Sequence, residues 1–277
     1  MKAPSAAGGI SSLSWNDPIS ETLLIPLCMR AEETRRADRL FDDPFAQRVL
    51  RDLGLDLRGY EGKRMSQVGT AIRVRHFDRQ VRRILATWTR PAVVHLGCGL
   101  DGRFLRTDGG LGVQLDLDLP DVMALRGRFY PPSDRNPQWS GSALETDWMD
   151  RLLQTYPGSR FAFFMEGLLM YFPEESVRTL LCRLADRFPG GELHFDYVSR
   201  WIAGHTSLHD TVRSSGVEFR WGTDDPEGLG AWHPRLVHRE TAYFMSQEPR
   251  RWGWGNLFRL VPCLGRGSGA LRYDILS

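Results

Sequence analysis

The sequence predicts an α/β protein whose core is a doubly wound, mostly parallel seven-stranded sheet of Rossmann-like type. Three observations carry this. Short apolar runs alternate with amphipathic stretches between residues 92 and 198, and such alternation gives parallel strands joined by right-handed crossovers. The first run, Val93-Val94-His95-Leu96, enters a glycine turn at Gly97-Cys98-Gly99, as a buried parallel strand does when it opens onto a helix. The second run ends in acid, at Asp116 and Asp118. An acid at the tip of the second strand of such a sheet suits a pair of ribose hydroxyls.

The elements follow in order. Residues 1–14 are small and polar, the composition of a disordered tail. Asp17-Pro18 is an N-cap and first-turn signal for a helix from about Pro18 to Arg39, and Pro44 starts another to about Leu53. Residues 54–64 read as a loop. From Gln67 to Trp88 apolar residues recur at helical spacing: Val68, Ile72, Phe77, Val81, Ile84 and Leu85. These helices precede the first core strand, so they form an added helical lid. Strands are expected near 92–96, 112–117, 137–142, 160–166 and 191–198, with helices near 102–106, 119–129, 146–155 and 174–188. Beyond Tyr197 the pattern breaks. Residues 199–255 carry Trp201, Trp221, Trp232, Trp252 and Trp254 among glycines and prolines, and read as a substrate-pocket insertion able to wall a flat aromatic molecule. Leu257–Val261 and Leu271–Leu276 suit two final antiparallel strands. The chain therefore divides into a tail and lid (1–90), a ligand-binding core (91–198), an insertion (199–256) and closing strands (257–277).

Composition narrows the class. At 277 residues with 42% hydrophobic and 25% charged residues, the chain is an ordinary soluble enzyme in size and balance. A formal charge of +2 asks for no nucleic acid. The basic stretch from Arg30 to Arg90 is interspersed with Glu32, Glu33, Asp42 and Asp43, as solvated helix faces are. Cys28, Cys98, Cys182 and Cys263 form no CxxC pair, which fits a reduced cytoplasm and no structural zinc. No signal-type apolar segment and no membrane-spanning run is present.

The glycine loop alone leaves two ligands open. Gly97-x-Gly99-x-x-Gly102, followed by Asp116 and Asp118, satisfies the dinucleotide fingerprint with its acid about 20 residues on, so a nicotinamide oxidoreductase is one reading. A second block argues against it. Glu166-Gly-Leu-Leu-Met-Tyr171-Phe-Pro173 places another acid at the end of a buried strand, before a proline-started helix. Hydride transfer has no use for that acid. A ligand carrying an ammonium and a sulfonium does.

These segments resemble a known family. LGCGLDGRF, LDLDLPDVMALR, SALETDWMD and MEGLLMYFPEESVRTLL are similar to the leucine carboxyl methyltransferase-like family. Within it they resemble the bacterial branch that includes the tetracenomycin polyketide O-methyltransferase. LCMRAEETRRADRLFDDPFAQRVL, VGTAIRVRHFD and FRWGTDDPEGLGAWHPRL extend the likeness from about Pro26 onward. Gly102 departs from it, standing where the family usually has a threonine.

The resemblance implies a class I methyltransferase with S-adenosylmethionine as donor and S-adenosylhomocysteine as product. It implies donor contacts from Gly97, Cys98, Gly99, Leu119 and Gly167. It points to Asp118, rather than Asp116, as the ribose acid. Arg73 and Arg30 clamp the donor carboxylate, with Arg75 as fallback, and Glu166 pairs with its ammonium. Ser142, Ala143 and Leu144 are expected at the adenine, by backbone N–H groups and packing. Tyr171 and Tyr197, at neighbouring strand ends, are expected to face the acceptor. His205 and His209 are four apart and share a face if helical. With no HExxH pattern they suit the acceptor pocket better than a metal, and none is expected. A carboxylate acceptor is ionised at neutral pH and needs no base, whereas a phenol would want one of these histidines. The expected reaction is O-methylation of a small natural-product carboxylate or hydroxyl in the cytoplasm, with no nucleic acid and no membrane as partner. The alternatives are methylation of a protein carboxyl terminus, the nicotinamide reading, and a donor-binding scaffold without turnover.

Overall fold

The computed structural model describes residues 23–54, 63–205 and 218–277. The polar tail, the start of the first expected helix, most of the 54–64 loop, and His209 lie outside them.

Seven strands form one sheet in the order β3-β2-β1-β4-β5-β7-β6. They are β1 (Pro91–Leu96), β2 (Val113–Asp118), β3 (Gln138–Ser140), β4 (Arg160–Met165), β5 (Glu192–Val198), β6 (Leu236–Tyr243) and β7 (Ser268–Ile275). The first five are parallel, and β7 runs antiparallel to both β5 and β6. All residues of β1 and β5 are buried; β1 reads as a nearly continuous apolar run, whereas β5 alternates the buried polar Glu192, His194 and Asp196 with Leu193, Phe195 and Tyr197. The chain leaves β1 in opposite directions, toward β2 and β4, so the topological switch lies between β1 and β4. In such sheets ligands settle at the carboxyl ends beside that switch.

Before the sheet come α1 (Leu24–Arg35), α2 (Pro44–Asp52) and α3 (Arg64–Thr87). Pro44 opens α2 and the Asp43 carboxylate caps it, accepting from Ala46 N at 3.0 Å. The apolar stripe of α3 is buried as its spacing demands: Val68, Ile72, Phe77, Val81, Ile84 and Leu85 pack on Val93, Ala162 and Phe164 of the sheet. The crossovers are α4 (Arg103–Thr107), α5 (Pro120–Arg126), α6 (Asp147–Thr155) and α7 (Glu174–Arg187), and α8 (Arg200–Gly204) follows β5. Helices α6 and α7 cover the other sheet face with Met149, Leu152, Val177 and Leu181. Helices α1 and α2 pack on Leu100, Leu125, Phe129 and Tyr130, across the loops that follow β1 and α5. A buried bidentate pair, Arg251 to Glu33 at 2.7 Å for each bond, ties α1 to the segment after β6.

Three expectations are corrected. The expected strand at 257–261 is a 3-10 helix, Gly253–Leu260. Its apolar residues suit a strand, but Gly253, Gly255 and Pro262 bound the stretch, and Gly253 takes a φ of +59°. The sixth strand is instead β6, inside the stretch read as an insertion. Its LVHRETAY sequence is too polar for a core strand but fits an edge strand, most of whose residues are half-buried. The first expected helix ends at Arg35, and Arg36 is already extended. The third strand is only three residues long.

Among the described residues no helix is long and apolar enough to cross a membrane, and no group of three His, Cys, Asp or Glu could hold a metal ion. All four cysteines are unpaired.

Candidate active site

The carboxyl ends of β1, β2, β4 and β5 open into a cavity of about 860 Å³. Its floor is the turn after β1. Gly97 and Gly99 take φ values of +67° and +52°, a region that glycine enters without strain. A Cβ on Gly97 would also meet Leu168 Cδ1 at 2.8 Å. Cys98 lines the cavity, and burial pushes its thiol well up, so it stays a neutral packing group. Arg126 latches the loop from behind, donating to the carbonyls of Gly99 and Asp101.

The two acids of β2 have different surroundings. Asp116 is 2% exposed and accepts from Arg126 and Asn136. Asp118 accepts from Gly99 N and from Leu119 N, each at 2.7 Å. Burial raises its carboxyl, and those two N–H groups oppose the shift. Asp116 is thus held by a cation, while Asp118 is held only by backbone and keeps a lone pair on each oxygen.

Gly102, the departure from the family pattern, has a local cause. A Cβ there would lie 2.6 Å from Tyr130 Cε1. Tyr130 is fixed by its own hydroxyl, which donates to Leu100 O at 3.1 Å, and by Arg126, 4.7 Å from its ring centre.

A network of buried charge runs from the end of the loop to the ends of β4 and β5. Glu166, at the end of β4, accepts from Arg73 Nε at 3.0 Å and from Arg103. Asp196, on β5, accepts from Arg73 Nη1 at 2.9 Å and from Gly167 N at 2.7 Å. Burial raises the Asp196 carboxyl and Arg73 holds it back. Arg103 continues to Asp78 and Asp101, and Arg106 joins Asp78, Asp101 and Asp43. Burial works against the Asp101 charge, yet Arg106, Arg103 and Arg30 hold its carboxyl well below the usual range. Arg30 donates to Asp43 Oδ2 at 3.0 Å and to Leu100 O at 2.9 Å, so it braces the glycine loop instead of pointing a free fork into the cavity. Arg75 pairs with Glu248 away from the cavity, which leaves Arg73 as the arginine of that stretch at the site.

Ser142, Ala143 and Leu144 line the cavity just past β3. Two of the N–H groups expected to read adenine are engaged in the turn itself. Ser142 N donates to Glu145 Oε2 at 3.3 Å and Leu144 N to Ser142 Oγ at 3.2 Å.

Much of the remaining wall is aromatic. Tyr171 meets Phe219 edge-on at 5.5 Å, and both line the cavity. Tyr197 lines it too, but its hydroxyl donates to Arg266 O at 2.9 Å, so burial and that bond keep it a protonated wall. Trp201 stacks on His205 at 4.7 Å, with His205 Nδ1 2.8 Å from Trp201 O. Of the five late tryptophans only Trp201 and Trp252 reach the cavity. Trp221 is core, Trp232 packs against it, and Trp254 is exposed.

Sequence reasoning missed Asp196, Arg103 and Asp101. The one signal for Asp196 was an acid inside the apolar run LHFDYV.

With this geometry in place, comparison with known proteins decides the family. A family model for leucine carboxyl methyltransferase matches residues 24–185. The chain belongs to this family. The tetracenomycin polyketide synthesis O-methyltransferase TcmP of Streptomyces glaucescens is 30% identical over 263 residues, covering 92% of this chain and 96% of that protein. The S-adenosyl-L-methionine-dependent methyltransferase dpfgK of Gibberella zeae is 30% identical over 272 residues, with 87% and 89% covered. The fold is shared with a geranyl diphosphate methyltransferase solved with GPP and sinefungin, at a TM-score of 0.50 and 12% identity over 73% of this chain and 77% of that one. The protein is an S-adenosylmethionine-dependent methyltransferase, and the nicotinamide reading falls away.

Proposed function

We propose that this methyltransferase acts on an oxygen of a small, flat, largely apolar acceptor, a carboxylate first and a phenol or other hydroxyl second. The observation that carries this is the lining of the cavity. Its lining arginines, Arg30, Arg73 and Arg103, all belong to the buried charge network, while Tyr171, Trp201, Phe219, Trp252 and Phe258 give it aromatic wall, and no lysine is among the described lining residues. The polyketide in TcmP's name is consistent with an acceptor of that shape.

The residues present fit the donor. Asp118 offers its two remaining lone pairs to the ribose hydroxyls, and the positive-φ loop lets the chain pass close without a Cβ. Arg73 and Glu166, now paired with each other, take the donor's carboxylate and ammonium respectively. Each keeps a partner as it turns, because Asp196 stays with Arg73 and Arg103 stays with Glu166. Cys98, Leu119 and Leu144 supply packing. S-adenosylmethionine supplies an electrophilic methyl on its sulfonium and leaves as neutral S-adenosylhomocysteine.

The protein's part in the transfer is alignment and dehydration. Holding acceptor and methyl in line can supply about 7–11 kcal/mol in favourable cases. A carboxylate stripped of water by the aromatic walls gains reactivity and needs no base. For a phenol, His205 is the described imidazole in the aromatic wall able to take the proton. Tyr171 and Trp201 position the acceptor, with Tyr197 as a fixed wall.

Incubation with methyl-labelled donor and a panel of aromatic acids and phenols, read by product mass and label position, tests this. Label on an acid or phenol oxygen is expected. Labelled protein without labelled small molecule would shift the acceptor to a protein carboxyl terminus, and label on nitrogen or carbon would overturn the oxygen assignment.

A further inference from the structure

The 3-10 helix Gly253–Leu260 has two apolar faces. At three residues per turn, positions three apart eclipse. Gly255 and Phe258 face inward, and Phe258 lines the cavity. Trp254, Leu257 and Leu260 form the next row. They are 71%, 66% and 71% exposed, and Val261 beside them is 43% exposed. Scattered single apolar residues on a surface need no explanation, but a contiguous row does. The third row is Asn256 and Arg259.

Charge says what covers that row. Residues 249–266 contain four arginines and no acid. Arg251 is buried against Glu33, which leaves Arg250, Arg259 and Arg266 exposed. Arg64, also exposed, lies against Gly253. A second copy of the chain would set these cations against their own images across a two-fold contact, which disfavours self-association. An anionic surface is the complement. A tryptophan and two leucines in line, flanked by arginines, is the combination that lies in the headgroup region of an anionic bilayer, the apolar row sunk toward the acyl chains.

We propose that the outer row of this helix, Trp254, Leu257 and Leu260 with the surrounding arginines, docks the protein reversibly on an anionic lipid surface. The expectation of no membrane partner came from the lack of a spanning run, and a surface-lying helix needs none. The inference does not depend on which acceptor is methylated.

Flotation with vesicles tests it. The wild type should float with phosphatidylcholine vesicles containing one third phosphatidylglycerol at low salt, and should come off at high salt and from pure phosphatidylcholine. A triple variant, Trp254→Ser with Leu257→Ser and Leu260→Ser, should lose at least tenfold in binding, as should Arg259→Glu. None of the four replaced residues lines the cavity, and Trp254 meets the cavity-lining Phe258 only edge-on at 5.4 Å, so donor affinity in solution should stay unchanged, which also shows that the variants are folded. Failure of the wild type to float, or triple-variant binding equal to wild type, would overturn the proposal. So would a concentration-dependent dimer broken by the triple variant, which would make the occupant a second copy. Binding to soluble polyglutamate without binding to vesicles would make it an acidic protein, and would equally overturn the lipid assignment.

Discussion

Replacing Arg73 with alanine should injure the protein twice, and the two injuries can be separated. Arg73 bridges Glu166 and Asp196. Glu166 keeps Arg103 when Arg73 is removed, but Asp196, 2% exposed, keeps only the N–H of Gly167. Breaking a buried pair from one side costs about 3–5 kcal/mol. Protonation of Asp196 limits the damage. A carboxyl with an ordinary value of about 3.9 takes up a proton at a cost of about 5 kcal/mol at about pH 7.5, and about 2 kcal/mol at about pH 5.5. The raised Asp196 carboxyl is the case in which stability is full below the unfolded value and lost as pH rises through the folded one. Arg73→Ala should therefore melt on the order of 10 °C below wild type at about pH 7.5, with a clearly smaller gap at about pH 5.5. Adding Asp196→Asn removes the orphaned charge and should restore much of the melting temperature at neutral pH. It should not restore donor affinity, which calorimetry reads, because the cation assigned to the donor carboxylate is still missing. A gap independent of pH, or a double variant no more stable than the single one, would refute the charge argument. Donor binding of wild-type strength in the double variant would refute the clamp.

Three further outcomes follow from the same structure. Asp118→Ala should raise the donor dissociation constant at least tenfold, about 1.4 kcal/mol, with little loss of stability, while Asp116→Ala strands Arg126 and should chiefly lower the melting temperature; calorimetry and melting of both variants would show a wrong ribose assignment if their donor affinities fall alike. Gly102→Thr puts its Cβ against Tyr130 and should cost about 1–3 kcal/mol by overpacking, partly regained on adding Tyr130→Ala; a threonine variant as stable as wild type in urea melts would exclude the clash. Burial opposes the Glu192 charge, but His194 and Arg83 hold its carboxyl at about 2, so its stabilisation is full above the unfolded value and fades as pH falls toward 2; Glu192→Gln should flatten that part of the acid-denaturation curve, and an unchanged curve would count against it.

The parallel core was readable where a strand is a short apolar run buried on both faces, as in β1 and β4, whose burial pattern and apolar run coincide. The same holds for the stripe of α3. β6 escaped because an edge strand with half-buried residues shares its composition with loops, and 257–261 misled because Leu-Phe-Arg-Leu-Val has the propensity of a strand while the glycines before it and Pro262 after it impose a tighter helix. That the glycine turn, Asp118, Arg73 and Glu166 meet at one cavity was legible from motif and resemblance. The network behind them was not. Asp196 and Arg103 sit 123 and 30 residues from Arg73 in the chain, and a pairing across such distances has no local signature. Arg30 and the 142–144 turn show the complementary limit, since lining a cavity does not reveal which of their groups are already spoken for.

The position of β7 bears on how the protein is made. It follows β6 in the chain yet lies inside it, hydrogen-bonded to β5 on one side and β6 on the other. During synthesis β6 emerges with no neighbour to pair with, and stays an unsatisfied edge until Ser268–Ile275 has left the ribosome. The parallel half of the sheet can assemble as it appears, but this antiparallel corner closes only by insertion of a later strand between two earlier ones.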